Sequence, residues 1–251
     1  MEKDRKSADK NVHKNHRQRV FDRLERDGLD SFYDHEILEL LLFYTVPRMD
    51  TNPIAHRLIN EFGSLAAVMD ADIKSLEKVQ GVSHKSAVLI KLMPQLIRRY
   101  SLDKFEPKSE LSSFEKASQY AQSLMIGEKR EVFYILCLDI KGRLIKAEKI
   151  KEGTASEIVV NPRAVVLAAA QNEPAGVIMV HNHPGGRAHP SAEDIELTRK
   201  AALALGLIGI PLLDHIIVAQ GEIMSFKRNG LMEDAVKSAV NNISGVRSSY
   251  E

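Results

Sequence analysis

The chain has 251 residues, 44% hydrophobic and 27% charged, the proportions of a soluble globular protein with material for one large domain or two ordinary ones. Its formal net charge of +1 gives no overall attraction to nucleic acid or membrane surfaces, so any such affinity must be local. The single cysteine, Cys137, excludes an intramolecular disulfide and a cysteine-rich zinc site, so a metal here needs histidine and carboxylate ligands.

In chain order, residues 1–16 are polar and mostly basic and read as a disordered tail, either merely solvated or in contact with nucleic acid. They lack the apolar centre of a secretory signal, and no apolar stretch is long enough to span a bilayer. The expectation is a cytoplasmic protein with no membrane partner. Residues 17–102 carry a helical pattern. Asp34 is a candidate N-cap for a helix through Phe43, and Asn52-Pro53 opens a helix to Phe62. Short helices follow at Ser64 to Met69 and Asp72 to Val79, with Gly63 and Gly81 where helices should stop. Tight glycine turns between short helices point to a small all-α domain. Residues 103–113, polar and containing Pro107, read as a linker.

The period then changes. Val132 to Leu138 is an apolar run of strand length that holds Cys137, which reads as a buried structural thiol. Asp139-Ile140-Lys141-Gly142 turns it into a second strand over Arg143 to Lys151. A helix with Asn161 as cap and Pro162 at its first position runs to about Asn172, followed by an apolar strand from Gly176 to Val180. A helix over Ser191 to Leu205 and strands over Ile210 to Ala219 and Glu222 to Lys227 complete residues 114–229. Strands alternating with helices predict an α/β domain with a mixed sheet. Residues 230–251 read as a polar tail.

Chemistry concentrates where the Gly176 to Val180 strand meets His181-Asn182-His183-Pro184-Gly185-Gly186. Residues two apart on a strand share a face, so His181 and His183 present two imidazoles to one point. Such a point at the C-terminal end of a strand is where α/β folds bind ligands. Asp194, in the first turn of the next predicted helix, offers a carboxylate. Two imidazoles, a carboxylate and a water make a catalytic zinc site with an open position, and zinc brings the pKa of its water toward ~7. Ser191 and Asp194 also have the spacing of a helix capping box, so capping and metal chemistry both remain open for them. The literal string His181-Asn182-His183 is unrelated to HNH nucleases, which spread their residues over a ββα unit.

His181-x-His183, seven residues, Ser191, two residues, Asp194 resembles the metal signature of the JAB/MPN metallohydrolases. The wording around it, VHNHPGG and then HPSAEDIELTRKAALALGLIGIPLLDHIIV, resembles the RadC family within that group. The likeness is close from near residue 115 to near 230. It implies a JAB/MPN-type α/β fold holding one zinc ion per chain on His181, His183 and Asp194. It also implies a metallopeptidase or isopeptidase activity on a peptide substrate. By the same resemblance a glutamate shortly before a Gly-Thr pair acts as general base. That places the role on Glu148, with Glu152 the competing candidate, and puts Ser191 as hydrogen-bond donor to the oxyanion. The family has His-Pro-Arg-Glu where this chain has Asn161-Pro162-Arg163-Ala164, outside the metal signature. His189, on a loop, and His215, within an apolar strand, are read as non-ligands.

In the helical region, Val79-Gln80-Gly81-Val82-Ser83-His84-Lys85 resembles a helix-hairpin-helix turn with Ser83 in place of the second glycine. Such turns meet a phosphate through backbone amides at a helix start, and Lys85 and Lys91 would assist. The alternative is a packing hairpin with no DNA affinity. RadC-like proteins carry a DNA-repair name, so DNA binding through Gly81, Ser83 and Lys85 stands beside peptide hydrolysis as the second functional expectation.

Overall fold

The structure, a computed structural model, describes residues 16–105, 109–152 and 160–233; the predicted basic tail and most of the C-terminal tail lie outside them. The chain divides into two units, Met1–Ile97 and Arg98–Glu251. The boundary falls inside a helix, ahead of the predicted 103–113 linker. That segment is no free linker, because Leu111 is 2% exposed and packs with Leu102 and Phe105 in the core of the second unit. Residues 106–108 lie outside the described residues. No described helix is long and apolar enough to cross a membrane.

The first unit is helical, as its pattern implied: α1 (residues 16–27), α2 (Asp34–Phe43), α3 (Asn52–Phe62), α4 (Leu65–Asp70), α5 (Ile73–Glu77) and α6 (His84–Asp103), the last crossing into the second unit. The small polar residues sit where helix starts need acceptors. Ser64 accepts from the Ala67 N–H and Asp72 from the Ser75 N–H, and α3 stops at Gly63 in the left-handed conformation (φ 90°). Asp34 is displaced by one position from its expected role: Tyr33 is the N-cap of α2, and Asp34 accepts from the Leu65 N–H at 3.0 Å. Leu38, Leu42, Ile54, Leu58, Leu76 and Ile90 close the core of this unit.

The second unit holds a five-stranded sheet in the order β2-β1-β3-β4-β5, from β1 (Val132–Leu138), β2 (Leu144–Glu152), β3 (Gly176–Asn182), β4 (Leu212–Ala219) and β5 (Glu222–Ser225). Only β3 and β4 are parallel, so the sheet is mixed. Strand parity sorts the side chains. Tyr134, Leu136, Ile178, Val180, Ile216 and Val218 face α7 (Phe114–Met125), a helix absent from the expectations above. Phe133, Ile135, Cys137, Val177 and Met179 face α8 (Pro162–Asn172) and α9 (Ala192–Leu207). Both faces of β1 and β3 are covered and every residue in them is buried, which explains their continuous apolar runs. Cys137 is buried as expected, and burial pushes its thiol up to about 11, so it is no nucleophile.

Candidate metal centre

The β3 strand runs two residues further than its apolar stretch implied, through His181 and Asn182. Its parity sends Val177, Met179 and His181 to the α8/α9 side and Asn182 to the other. Pro184 and the left-handed Gly185 (φ 73°) then turn the chain, and the Gly186 N–H closes on the His183 carbonyl at 3.2 Å. This turn brings His183 back over His181, with their Nε2 atoms 2.9 Å apart.

The first turn of α9 meets them there. Asp194 Oδ1 lies 3.1 Å from His181 Nε2 and Oδ2 lies 3.5 Å from His183 Nε2. Ser191 and Asp194 form the capping box, and Asp194 reaches the histidine pair as well. Ser191 is the N-cap of α9, accepting from the Asp194 N–H at 3.0 Å, while the Ser191 N–H and hydroxyl donate to Asp194 Oδ2 at 2.8 and 2.7 Å. The capping box therefore aims the carboxylate. It also occupies the Ser191 hydroxyl proton, which must turn away from Asp194 to reach an oxyanion.

The electrostatics follow from this crowding. Burial by itself raises the Asp194 carboxyl, but the hydrogen bonds from His181 and His183 outweigh it and hold the group well below the usual carboxylate range. The hydrogen bond to Asp194 raises His183 above the ordinary imidazole value, against its burial. His183 Nδ1 donates to the Arg187 carbonyl at 3.1 Å, which leaves Nε2 as the atom that faces His181. Two imidazole Nε2 atoms at 2.9 Å beside a carboxylate share a proton or give way to a bound cation. The donor set, two nitrogens and one carboxylate oxygen, suits a divalent metal of borderline softness.

A fourth group joins this cluster, and it is one the sequence reading missed. Ligand atoms of Glu131, His181 and His183 lie within 4.8 Å of one another. Sheet register explains it. β1 and β3 are antiparallel with Phe133 opposite His181, so the residue two before Phe133 comes opposite His183 and shares its face. The side chain of Asn182 holds that end of β1: its Oδ1 accepts from the Val132 N–H at 2.8 Å and its Nδ2 donates to the Arg130 carbonyl at 3.0 Å. The middle residue of His181-Asn182-His183 thus clamps the backbone on either side of Glu131. Asn182 is 4% exposed, and Asn182→Ala leaves the buried Val132 N–H unpaired. A loss of about 1–3 kcal/mol in urea unfolding is expected; unchanged stability would remove the clamp.

Glu148, the expected base, lies elsewhere. It pairs with Ile135, which pairs with Met179, so it sits two strands across and one side-chain repeat short of His181, roughly 12 Å away at the backbone. Its carboxylate accepts from Asn172 Nδ2 at 2.8 Å and pairs with Lys146 Nζ at 3.0 Å. Those hydrogen bonds, from Lys146 first and then Asn172, lower its pKa, the opposite of what a base poised near neutrality needs. The side chain of Glu152 lies outside the described residues. His189 is exposed on its loop. His215 is fully buried, and its Nε2 lies 2.9 Å from His181 Nδ1. Asn161 caps α8, accepting from the Arg163 N–H at 2.9 Å.

In the helical unit, Gly81 has φ 95°, and a Cβ there would meet the Ile54 side chain at 2.9 Å, so the turn between α5 and α6 requires glycine. Ser83 Oγ accepts from the Ser86 N–H at 3.2 Å, capping α6, and Lys85 is exposed. Lys91 is held by the Met69 and Asp70 carbonyls at 3.3 and 3.2 Å, away from the phosphate-binding role expected of it.

Residues 111–231 match the family model described as the RadC-like JAB domain. The match spans the sheet, α7 to α9 and all four residues of the histidine cluster. The second unit of this chain carries a RadC-like JAB domain, the domain that the metal signature and its surrounding sequence implied.

Proposed function

We propose that the chain is a zinc-dependent hydrolase of amide or isopeptide bonds. The observation that carries this reading is the convergence of His181, His183, Asp194 and Glu131 at the C-terminal end of β3. His181, His183 and Asp194 hold the zinc. When bound, zinc polarises a substrate carbonyl and lowers the pKa of a water at its open position. Glu131, held by the Asn182 clamp, accepts the proton released there and returns it to the leaving nitrogen. Ser191 sits beside the metal ligands and, once its hydroxyl leaves Asp194, donates to the oxyanion. Measuring zinc on the purified full chain, with peptide and isopeptide substrates screened alongside, tests the reading. One zinc per chain is expected; a chain that takes up none when zinc is added back overturns it.

A second reading concerns the helical unit. The glycine-dependent turn at Gly81, the cap Ser83 and the exposed Lys85 suit contact with a DNA backbone. Duplex binding at low salt should then weaken steeply as salt rises, and Lys85→Glu should weaken it further. Absence of binding at low salt would leave the turn as a packing hairpin.

A further inference from the structure

We propose that Thr198 and His215 form a polarised hydrogen-bond relay that fixes hydrogen on His181 Nδ1 and turns its Nε2 toward Asp194 and His183. The use of that nitrogen as a metal ligand rests on the hydrolase reading above; the polarity of the relay does not.

The polarity starts from a group that cannot donate. Thr198 Oγ1 lies 2.6 Å from the backbone carbonyl oxygen of Asp194, one turn earlier in α9. A carbonyl only accepts, so the single hydroxyl proton of Thr198 points there. The same Oγ1 lies 2.7 Å from His215 Nδ1, and with its proton committed it can only accept, so Nδ1 carries hydrogen. The reverse arrangement would leave two oxygens at 2.6 Å with no proton between them.

His215 is enclosed. It is 0% exposed and stacks on Phe226 at 4.7 Å between centroids, with Phe133 at 5.7 Å. Among the described residues its ring nitrogens meet only Thr198 and His181, neither a carboxylate, so a ring enclosed by two phenyl groups is held neutral. A neutral imidazole with hydrogen on Nδ1 has its lone pair on Nε2, and His215 Nε2 faces His181 Nδ1 at 2.9 Å. His181 must then be the donor of that bond. Its Nε2 is left to face the cluster, 3.1 Å from Asp194 Oδ1 and 2.9 Å from His183 Nε2.

The relay begins and ends on one turn of helix. The carbonyl that sets its polarity belongs to Asp194, whose side chain is itself a member of the cluster, so the first turn of α9 places the carboxylate and orients the imidazole together. Below the relay, Asp214 fixes the backbone: its Oδ1 accepts from the His215 and Lys227 N–H groups at 2.7 and 2.9 Å, and its Oδ2 from the Ser225 hydroxyl at 2.6 Å. His215 and Thr198 touch no reacting atom; they are positioning residues. Hydrogen bonds of this kind to the distal nitrogen of a ligating histidine change metal affinity by about 10–100-fold when removed.

Two readouts on the full chain test the relay. The first is imidazole nitrogen–proton correlation NMR of the metal-free wild type at pH 8. His181 is expected with hydrogen on Nδ1, and an Nδ1 without hydrogen overturns the relay. The second is zinc affinity by chelator competition. His215→Phe keeps the stacked shape but removes the acceptor, and a fall of about 10–100-fold is expected. His215→Gln, whose amide oxygen can accept from His181, should restore most of the affinity. Thr198→Val, which releases the polarity without touching either ring, should lower it and mix the two His181 tautomers. Wild-type affinity in both His215→Phe and Thr198→Val overturns the relay, and the Thr198→Val result decides if His215→Phe fails to fold. A wild type with His181 on Nδ1–H that takes up no zinc supports the relay and sinks the hydrolase reading.

Discussion

Glu131→Gln is expected to keep its zinc and lose hydrolysis by a factor of about 10²–10⁴, the usual worth of a positioned general base. Glu148→Gln is expected to hydrolyse at the wild-type rate. The amide is isosteric, so neither change opens a cavity, and the comparison isolates the proton-transfer group. Glu131 lies in the cluster with His181 and His183, on the strand face they share. Glu148 is bound to Asn172 and Lys146 at the far side of β1. The measurement is turnover of a peptide or isopeptide substrate by zinc-loaded protein, with zinc content determined on the same samples. Full activity in Glu131→Gln removes the residue from the mechanism. Loss of activity in Glu148→Gln with zinc retained would return the role to the earlier candidate.

The positions of Glu131 and Glu148 show what a strand sequence does and does not disclose. The cluster of His181, His183 and Asp194 was legible because their relation is local. His181 and His183 are two apart on one strand, and Asp194 opens the next helix, so parity and capping rules suffice. Glu131 stands fifty residues before His181 and reaches it only through antiparallel pairing of β1 with β3, in a register that nothing near Glu131 encodes. A signal did exist. Glu131 immediately precedes an apolar strand on the same parity as Phe133 and Ile135, so wherever β1 ended at the cluster, Glu131 would face it. His215 was hidden for the same reason. In a run of apolar residues it reads as a packed histidine, and its contact with His181 depends on the parallel pairing of β3 with β4.

The helical unit was legible for a different reason. Its helices are announced by their own ends, Ser64, Asp72 and Gly63, and those residues act there as local chemistry requires. In the 103–113 segment polar composition does not mean exposure. Residues 103–113 contain Phe105 and Leu111, and two apolar anchors are enough to draw a short polar segment onto a core. The helix α7 escaped because Ala117, Ser118, Ala121 and Ser123 on its buried face dilute the apolar signal of Tyr120, Leu124 and Met125.

His183→Ala is expected to abolish stoichiometric zinc binding while the fold persists, since it removes one of three protein ligands from a half-buried position. The consequence for stability is large. A ligand present at about a thousand times its Kd stabilises the folded state by about 4 kcal/mol. Chelation should therefore lower the melting temperature of wild type and leave His183→Ala unmoved. The pH dependence gives a further check, and its sign is set by His183. In the metal-free chain the contact with Asp194 raises the His183 pKa above 6.5. Its contribution to stability is present in full below 6.5 and is lost as pH rises through the raised value. Asp194 titrates far below this window and adds no slope to it. Zinc must displace the same proton, so its affinity runs the other way, falling as pH drops through the raised His183 value. His215, with its pKa well below 6.5, adds an opposite slope in both forms, so the check is their difference: from pH 6 to pH 8 the stabilisation added by zinc should grow. Parallel slopes in the two forms would mean that metal and proton do not compete at His183, and the assignment of His183 as a ligand would fail with them.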